Sequence, residues 1–133
     1  MEGFLGRFGP QIYALLRIVA GLLFAQHGAQ KTFGLLGGFG GEPGNTAQLF
    51  SLIGLAGVIE FFGGLLIAIG LQAGIVAFIA CGEMAVAYFR AHAFRAFFPI
   101  QNGGELAMLY CFLWLFIAAK GSGIWSIDAL RKR

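Results

Sequence analysis

The chain has 133 residues, enough for one domain and not comfortably for two. It is 59% hydrophobic and only 11% charged, with a mean hydropathy of +0.82. A soluble domain of this length would need more polar surface than that, so the composition excludes an ordinary water-soluble fold and predicts an integral membrane protein. The 15 phenylalanines and 22 glycines agree, since glycine lets membrane helices approach closely. The formal charge of +3 comes from scattered residues at segment ends, which suits topology and headgroup anchoring and gives no nucleic-acid footprint.

A membrane span needs roughly 20 mostly apolar residues. Four segments qualify in chain order. The first runs over about 12–28, with Arg17 placed where its long stem can snorkel to the interface. It is read as a retained span and not as a signal peptide, because three more apolar segments follow. A glycine-rich loop over 34–48 comes next, flexible enough to act as a lid. It lacks the spacing of a nucleotide-binding loop. The second span covers about 49–71, interrupted only by Glu60, and the third covers about 74–91, interrupted by Glu83. An interfacial loop over 92–104 leads to the shortest span, 105–120, which Gly121-Ser122-Gly123 stops. Trp125 suits a headgroup-level belt. The runs are long and continuous and lack the alternation of barrel strands, so the predicted fold is all-α, a single domain over 1–133 forming a four-transmembrane-helix bundle.

Four spans put both termini on one side. Arg7, Lys120, Arg131, Lys132 and Arg133 gather there, against Lys31, Arg90 and Arg95 on the other side, which predicts cytoplasmic termini. With that topology most ionisable groups of the core converge on the outer half, and the inner half is nearly pure hydrocarbon. His27, Gln30 and Lys31 share one helix face. Glu83 and Arg90 share another, with His92 just beyond it and Glu105 opening the last span. Glu60 is the most informative residue, because a carboxylate at mid-bilayer costs about 3 kcal/mol or more. Ala56, Gly57, Gly63 and Gly64 surround it, a groove that admits a partner helix or a ligand.

Two readings of these acids stand side by side. Glu60 and Glu83 either hold the bundle together, paired with Arg90, Lys31 or backbone groups, or they line a functional pocket. His27 and His92 are not fixed opposite each other as haem ligands, and no metal site is expected. Cys81 and Cys111 both fall near mid-bilayer and meet if spans three and four pack together. Apolar burial leaves thiols unreactive, which makes them structural by expectation.

Arg17, Gly21, Phe24, His27-Gly28 and Lys31 in span one occur in order with Gly57, Glu60, Gly63-Gly64 and Gly70-Leu71. Asn102-Gly103-Gly104-Glu105 and Gly121-Ser122-Gly123-Ile124-Trp125-Ser126-Ile127-Asp128 complete the series. This ordered combination resembles the DoxX family over nearly the whole chain. The resemblance implies a four-helix, multi-pass protein of the bacterial inner membrane, related to small subunits associated with quinone-linked oxidoreductases. It implies that His27, Lys31, Glu60 and Glu105 matter, without fixing a reaction.

The expected function is therefore a subunit or accessory protein of a quinone-linked system. His27, Gln30, Lys31, Arg90, His92 and Glu105 would bind a quinone or similar small aromatic, and Glu60 or Glu83 would move protons. There is no flavin, haem or nucleotide motif and no CxxC, so a membrane redox partner would carry the electrons. The alternatives are a small proton-coupled transporter or a purely structural subunit. A homo-oligomer would supply a transporter with more spans but not with the missing inner polar path.

Overall fold

A computed structural model describes residues 1–133 as helices joined by turns, without a strand. Four long helices dominate: α1 (Gly9–Phe33), α2 (Leu52–Ile69), α3 (Ala73–Ala91) and α4 (Glu105–Lys120). The first three are long and apolar enough to cross a membrane. Helix α4 has 16 residues, about 24 Å at 1.5 Å per residue, and falls just short of that length. Exposed side chains such as Leu15, Val19, Leu22, Phe78, Phe89 and Phe112 give the bundle the apolar exterior that lipid requires.

Helix α1 is longer than the apolar run predicts. Pro10 suits its first turn, since a missing N–H costs nothing there, and Gly34 ends it in a left-handed conformation (φ 66°). It therefore carries the polar stretch from His27 to Lys31 as helix. Helix α2 starts at a serine cap, the Ser51 hydroxyl accepting from Gly54 N–H at 3.0 Å, and stops at Gly70, whose φ of 72° a side chain would strain. Its middle is not α-helical: Ile59–Gly63 form a π-helical turn. Such a turn inserts an extra residue into the helix and re-aims the side chains on it.

The packing falls into two tight pairs. Helix α1 lies along α2 at glycine contacts: a Cβ on Gly21 or Gly64 would run into the facing backbone, and one on Gly28 would meet Phe61 N and Gly57 O. The groove of small residues around Glu60 is thus filled largely by α1, while Gly63 turns to Val76 of α3. Gly28→Ala is expected to destabilise the fold by roughly 2 kcal/mol through forced separation of the helices. Gly82→Ala, where an added methyl meets nothing, is the neutral control, with detergent-melting curves as the measurement. Helices α3 and α4 form the second pair, with Ala77 and Ala80 in one core cluster with Trp114 and Ile117.

The start of α1 and the end of α4 meet at one end of the bundle, where Tyr13 OH donates to Gly121 O at 2.6 Å. Arg17 lies in this region and does not snorkel. It is 0% exposed, and its guanidinium donates to the carbonyls of Ile67, Ala68, Ile124 and Trp125 at 2.8–3.1 Å. One side chain thereby closes the exposed carbonyls at the end of α2 and pins the segment after α4. This half of the bundle is consequently not pure hydrocarbon; it contains a buried cation. Trp125 is held in the left-handed region (φ 54°), a conformation that costs a non-glycine residue roughly 1–2 kcal/mol. Its carbonyl is one of the four that Arg17 holds.

The tail is tied down next to it. The Asp128 carboxylate accepts from Ser122 Oγ–H at 2.6 Å and from Gln72 N–H at 2.8 Å. Chiefly the serine bond, then the backbone amide and nearby Arg131 and Lys132, hold the carboxyl below its ordinary 3.8. A depressed carboxyl contributes its stabilisation above the unfolded value and loses it as pH falls through the folded one. The protection factor of the Gln72 amide, its exchange rate relative to the intrinsic rate at the same pH, is therefore expected to persist on acidification past 3.8 and to fall only in stronger acid. A protection factor that stays constant at every acidic pH would contradict this docking.

Candidate functional site

Away from the Arg17 node, about 21 Å further along α1, lies a second polar cluster. Lys31 Nζ donates to both carboxylate oxygens of Glu60, at 2.6 and 2.7 Å. It is the only ion pair in the molecule. The Glu60 side chain is 2% exposed and that of Lys31 25%, so the pair is buried from the carboxylate side and open from the ammonium side. Two features of the chain create it. The Gly28–Gly57 approach brings α1 and α2 close enough, and the π turn sets the direction of Glu60.

The pair forms part of the wall of a cavity of about 260 Å³. Its apolar wall comes from Phe24, Met84, Ala87, Leu106, Ala107 and Tyr110, contributed by α1, α3 and α4. Its polar groups are Lys31, Glu60, His27 and His92. The His27 ring stands edge-on to Tyr110 at 6.3 Å, and Tyr110 stacks on Trp114 at 5.4 Å. His92 Nδ1 lies 3.1 Å from Asn102 O. A carbonyl only accepts, so Nδ1 carries the proton in that bond and a neutral His92 has Nε2 as its free acceptor.

Asn102 organises the loop beside the cavity, a role that the sequence pattern Asn102-Gly103-Gly104-Glu105 does not by itself reveal. It is buried, donates to Tyr88 OH at 3.1 Å and Ala96 O at 3.2 Å, and accepts from Gly104 N–H at 2.7 Å. The Asn-Gly-Gly run was its sequence signal, because an asparagine followed by glycines favours a side-chain-to-backbone turn. The hydropathy pattern gives no hint that it also holds His92.

The remaining candidate residues are distributed unevenly. Glu83, expected beside Glu60 as a proton carrier, is half-buried and does not line the cavity, and its Oε2 is buried without a hydrogen-bond partner. Gln30 turns away to donate to Leu36 O at 2.8 Å, where it organises the glycine-rich loop. Arg90 is exposed and pairs with neither glutamate, and Glu105 is exposed at the start of α4. These three do not line the cavity. Nor does any residue of 34–48. The loop folds back on the end of α1 through Ala47 N–H to Lys31 O (2.8 Å) and Gly44 N–H to Gly34 O (3.1 Å).

Three helices able to cross a bilayer, an apolar exterior and buried polar nodes define a helical integral membrane protein. The DoxX family model matches residues 12–93, a stretch that includes Arg17, His27, Lys31, Glu60, Glu83 and His92. An uncharacterized protein of Haemophilus influenzae is 40% identical over 127 residues, covering 93% of each chain. The chain belongs to the DoxX family. No solved structure matches it.

Proposed function

We propose that this protein is a component of a quinone-linked redox system of the bacterial inner membrane, and that its cavity takes the ring of a quinone or a similar small aromatic. The observation that carries the reading is the cavity itself: aromatic and aliphatic on one side, with Lys31, Glu60, His27 and His92 on the other. At about 260 Å³ it is below the usual ~300–1,000 Å³ of sites that enclose a drug-sized ligand. It suits a ring, with an isoprenoid tail leaving between helices into lipid. Lys31 Nζ and an imidazole N–H are the donors for a ring carbonyl. When a quinone is reduced each carbonyl oxygen takes up a proton, and Glu60 and His27 of the wall would supply it, with Glu83 outside the wall. The electrons come from a membrane redox partner.

The same reading treats residues 1–133 as one transmembrane domain with α4 as a fourth span. Its unbroken apolar run and its packing along α3 support this, and modest bilayer thinning accommodates its length. The excess of basic residues near the chain ends favours cytoplasmic termini, which puts the cavity in the outer half of the membrane.

Trp114 reports on the cavity through its stacking on Tyr110. In a Trp125→Phe background, a short-chain benzoquinone is expected to quench Trp114 fluorescence saturably. Ala107→Leu, which fills the cavity and leaves every polar group in place, is expected to weaken that binding at least tenfold. Equal, unsaturable quenching in both proteins would remove the quinone reading.

A further inference from the structure

Cys81 of α3 and Cys111 of α4 are both free thiols, and their sulfurs lie 3.7 Å apart. They sit in the seam between the two packed helices. The face that α3 turns to α4 carries Ala73, Ala77 and Ala80, all fully buried, and a Cβ on Gly74 would stand 3.3 Å from Ala118 O. Small residues of this kind bring helix backbones near enough for side chains of cysteine length to bridge them. Each thiol is only half-buried, so the pair opens on its outer side toward the lipid.

We propose that Cys81 and Cys111 are a redox site, closing to an intramolecular disulfide when a hydroperoxide reaches the bilayer and reopening with thiol reductant. Peroxides are small and uncharged enough to reach mid-membrane. The first thiol attacks the O–O bond and becomes a sulfenic acid, releasing water from hydrogen peroxide or an alcohol from a lipid hydroperoxide. The second sulfur displaces the sulfenic oxygen, the S–S bond forms, and a second molecule leaves as water. Two electrons pass from the two sulfurs to the peroxide. The first step is slow for a thiol in apolar surroundings, so the site responds to an oxidant load and stays reduced otherwise. The second is fast, because the partner sulfur is already in place.

The bond would act directly on the cavity. Met84 lies one turn along α3 from Cys81, and Ala107 and Tyr110 lie within a turn of Cys111 on α4; all three line the cavity. A disulfide here would fix two of its walls to each other, whatever ligand it takes.

The test uses the full chain in phospholipid vesicles, exposed to hydrogen peroxide, then denatured, alkylated with a maleimide and weighed intact. The expected product is a monomer about 2 Da lighter that takes up no maleimide. Its digest contains a Cys81–Cys111 linked peptide, and dithiothreitol restores two alkylatable thiols. Cys81→Ser and Cys111→Ser are each expected to yield no such monomer. Wild-type protein that keeps two alkylatable thiols, or is converted only to sulfinic and sulfonic acids or to disulfide-linked dimers, would overturn the proposal.

Discussion

Arg17→Met is expected to be the most damaging single substitution, costing about 4 kcal/mol of stability. The methionine fills most of the volume, so the loss is that of the bonds. Four backbone carbonyls from two separate segments lose the guanidinium together: two buried ones at the end of α2, of which Ile67 O keeps only Gly70 N–H, and two part-buried ones at Ile124 and Trp125. Each charge-assisted bond contributes roughly 1.5–3 kcal/mol, and removing the buried cation's own desolvation offsets part of the sum. Arg17→Lys should recover less than half. An ammonium keeps the charge but lacks the planar fork that spans Ile67 and Ala68 on one side and Ile124 and Trp125 on the other. Unfolding in mixed detergent micelles gives the energies, and hydrogen exchange gives the location. Loss of protection concentrated at residues 121–131 is the expected signature; full protection in the methionine variant would show that the segment is held by something else.

The second large effect is asymmetric across the Lys31–Glu60 pair. Lys31→Met leaves a carboxylate that is 2% exposed without its cation and is expected to cost about 3 kcal/mol. Glu60→Gln is milder, about 1 kcal/mol, because the amide still accepts from the ammonium and Lys31 reaches solvent or headgroups through its exposed side. The double variant should be more stable than Lys31→Met alone, since the buried charge is gone. A double-mutant cycle in detergent checks this, and additive losses would mean that the two residues act independently in spite of their 2.6 Å contact.

Hydropathy reads lipid-facing runs well and tertiary pairing poorly, and the molecule shows both. The predicted segments 74–91 and 105–120 match helices at Ala73–Ala91 and Glu105–Lys120, the second of them bounded by Gly104 and Gly121. The first helix extends to Phe33, beyond the predicted 28, and its polar Gln30 and Lys31 find partners there that the run itself does not show. Leu52–Ile69 is shorter than 49–71, trimmed by the Ser51 cap and Gly70. The choice of Lys31 and not Arg90 for Glu60 depends on which glycines interlock, a matter of packing. The π turn at Ile59–Gly63 inserts one residue without altering an apolar pattern and leaves no sequence trace. Arg17 was misread for a related reason. Snorkelling is the default for an arginine near a span's end, and the competing acceptors come from residues 50 and more positions away.

The cluster around the cavity was legible in part. His27, Lys31, Glu60 and His92 come together, since they lie on the right helix faces at matching depths. Gln30, Glu83, Arg90 and Glu105 do not join that wall; Gln30 turns to the loop, and Arg90 and Glu105 are exposed. Depth follows from position along a span, whereas direction depends on helix rotation, which packing sets.

The most direct measurement of the central claim is mass spectrometry of lipophilic molecules that co-purify with the protein in mild detergent, for wild type and Glu60→Gln in parallel. A quinone is expected to be retained near stoichiometrically by wild type and lost from the variant, while the variant's helix content and oligomeric state stay the same. No quinone in either sample, with both proteins folded, would contradict that claim and leave the Lys31–Glu60 pair as a structural tie between two helices.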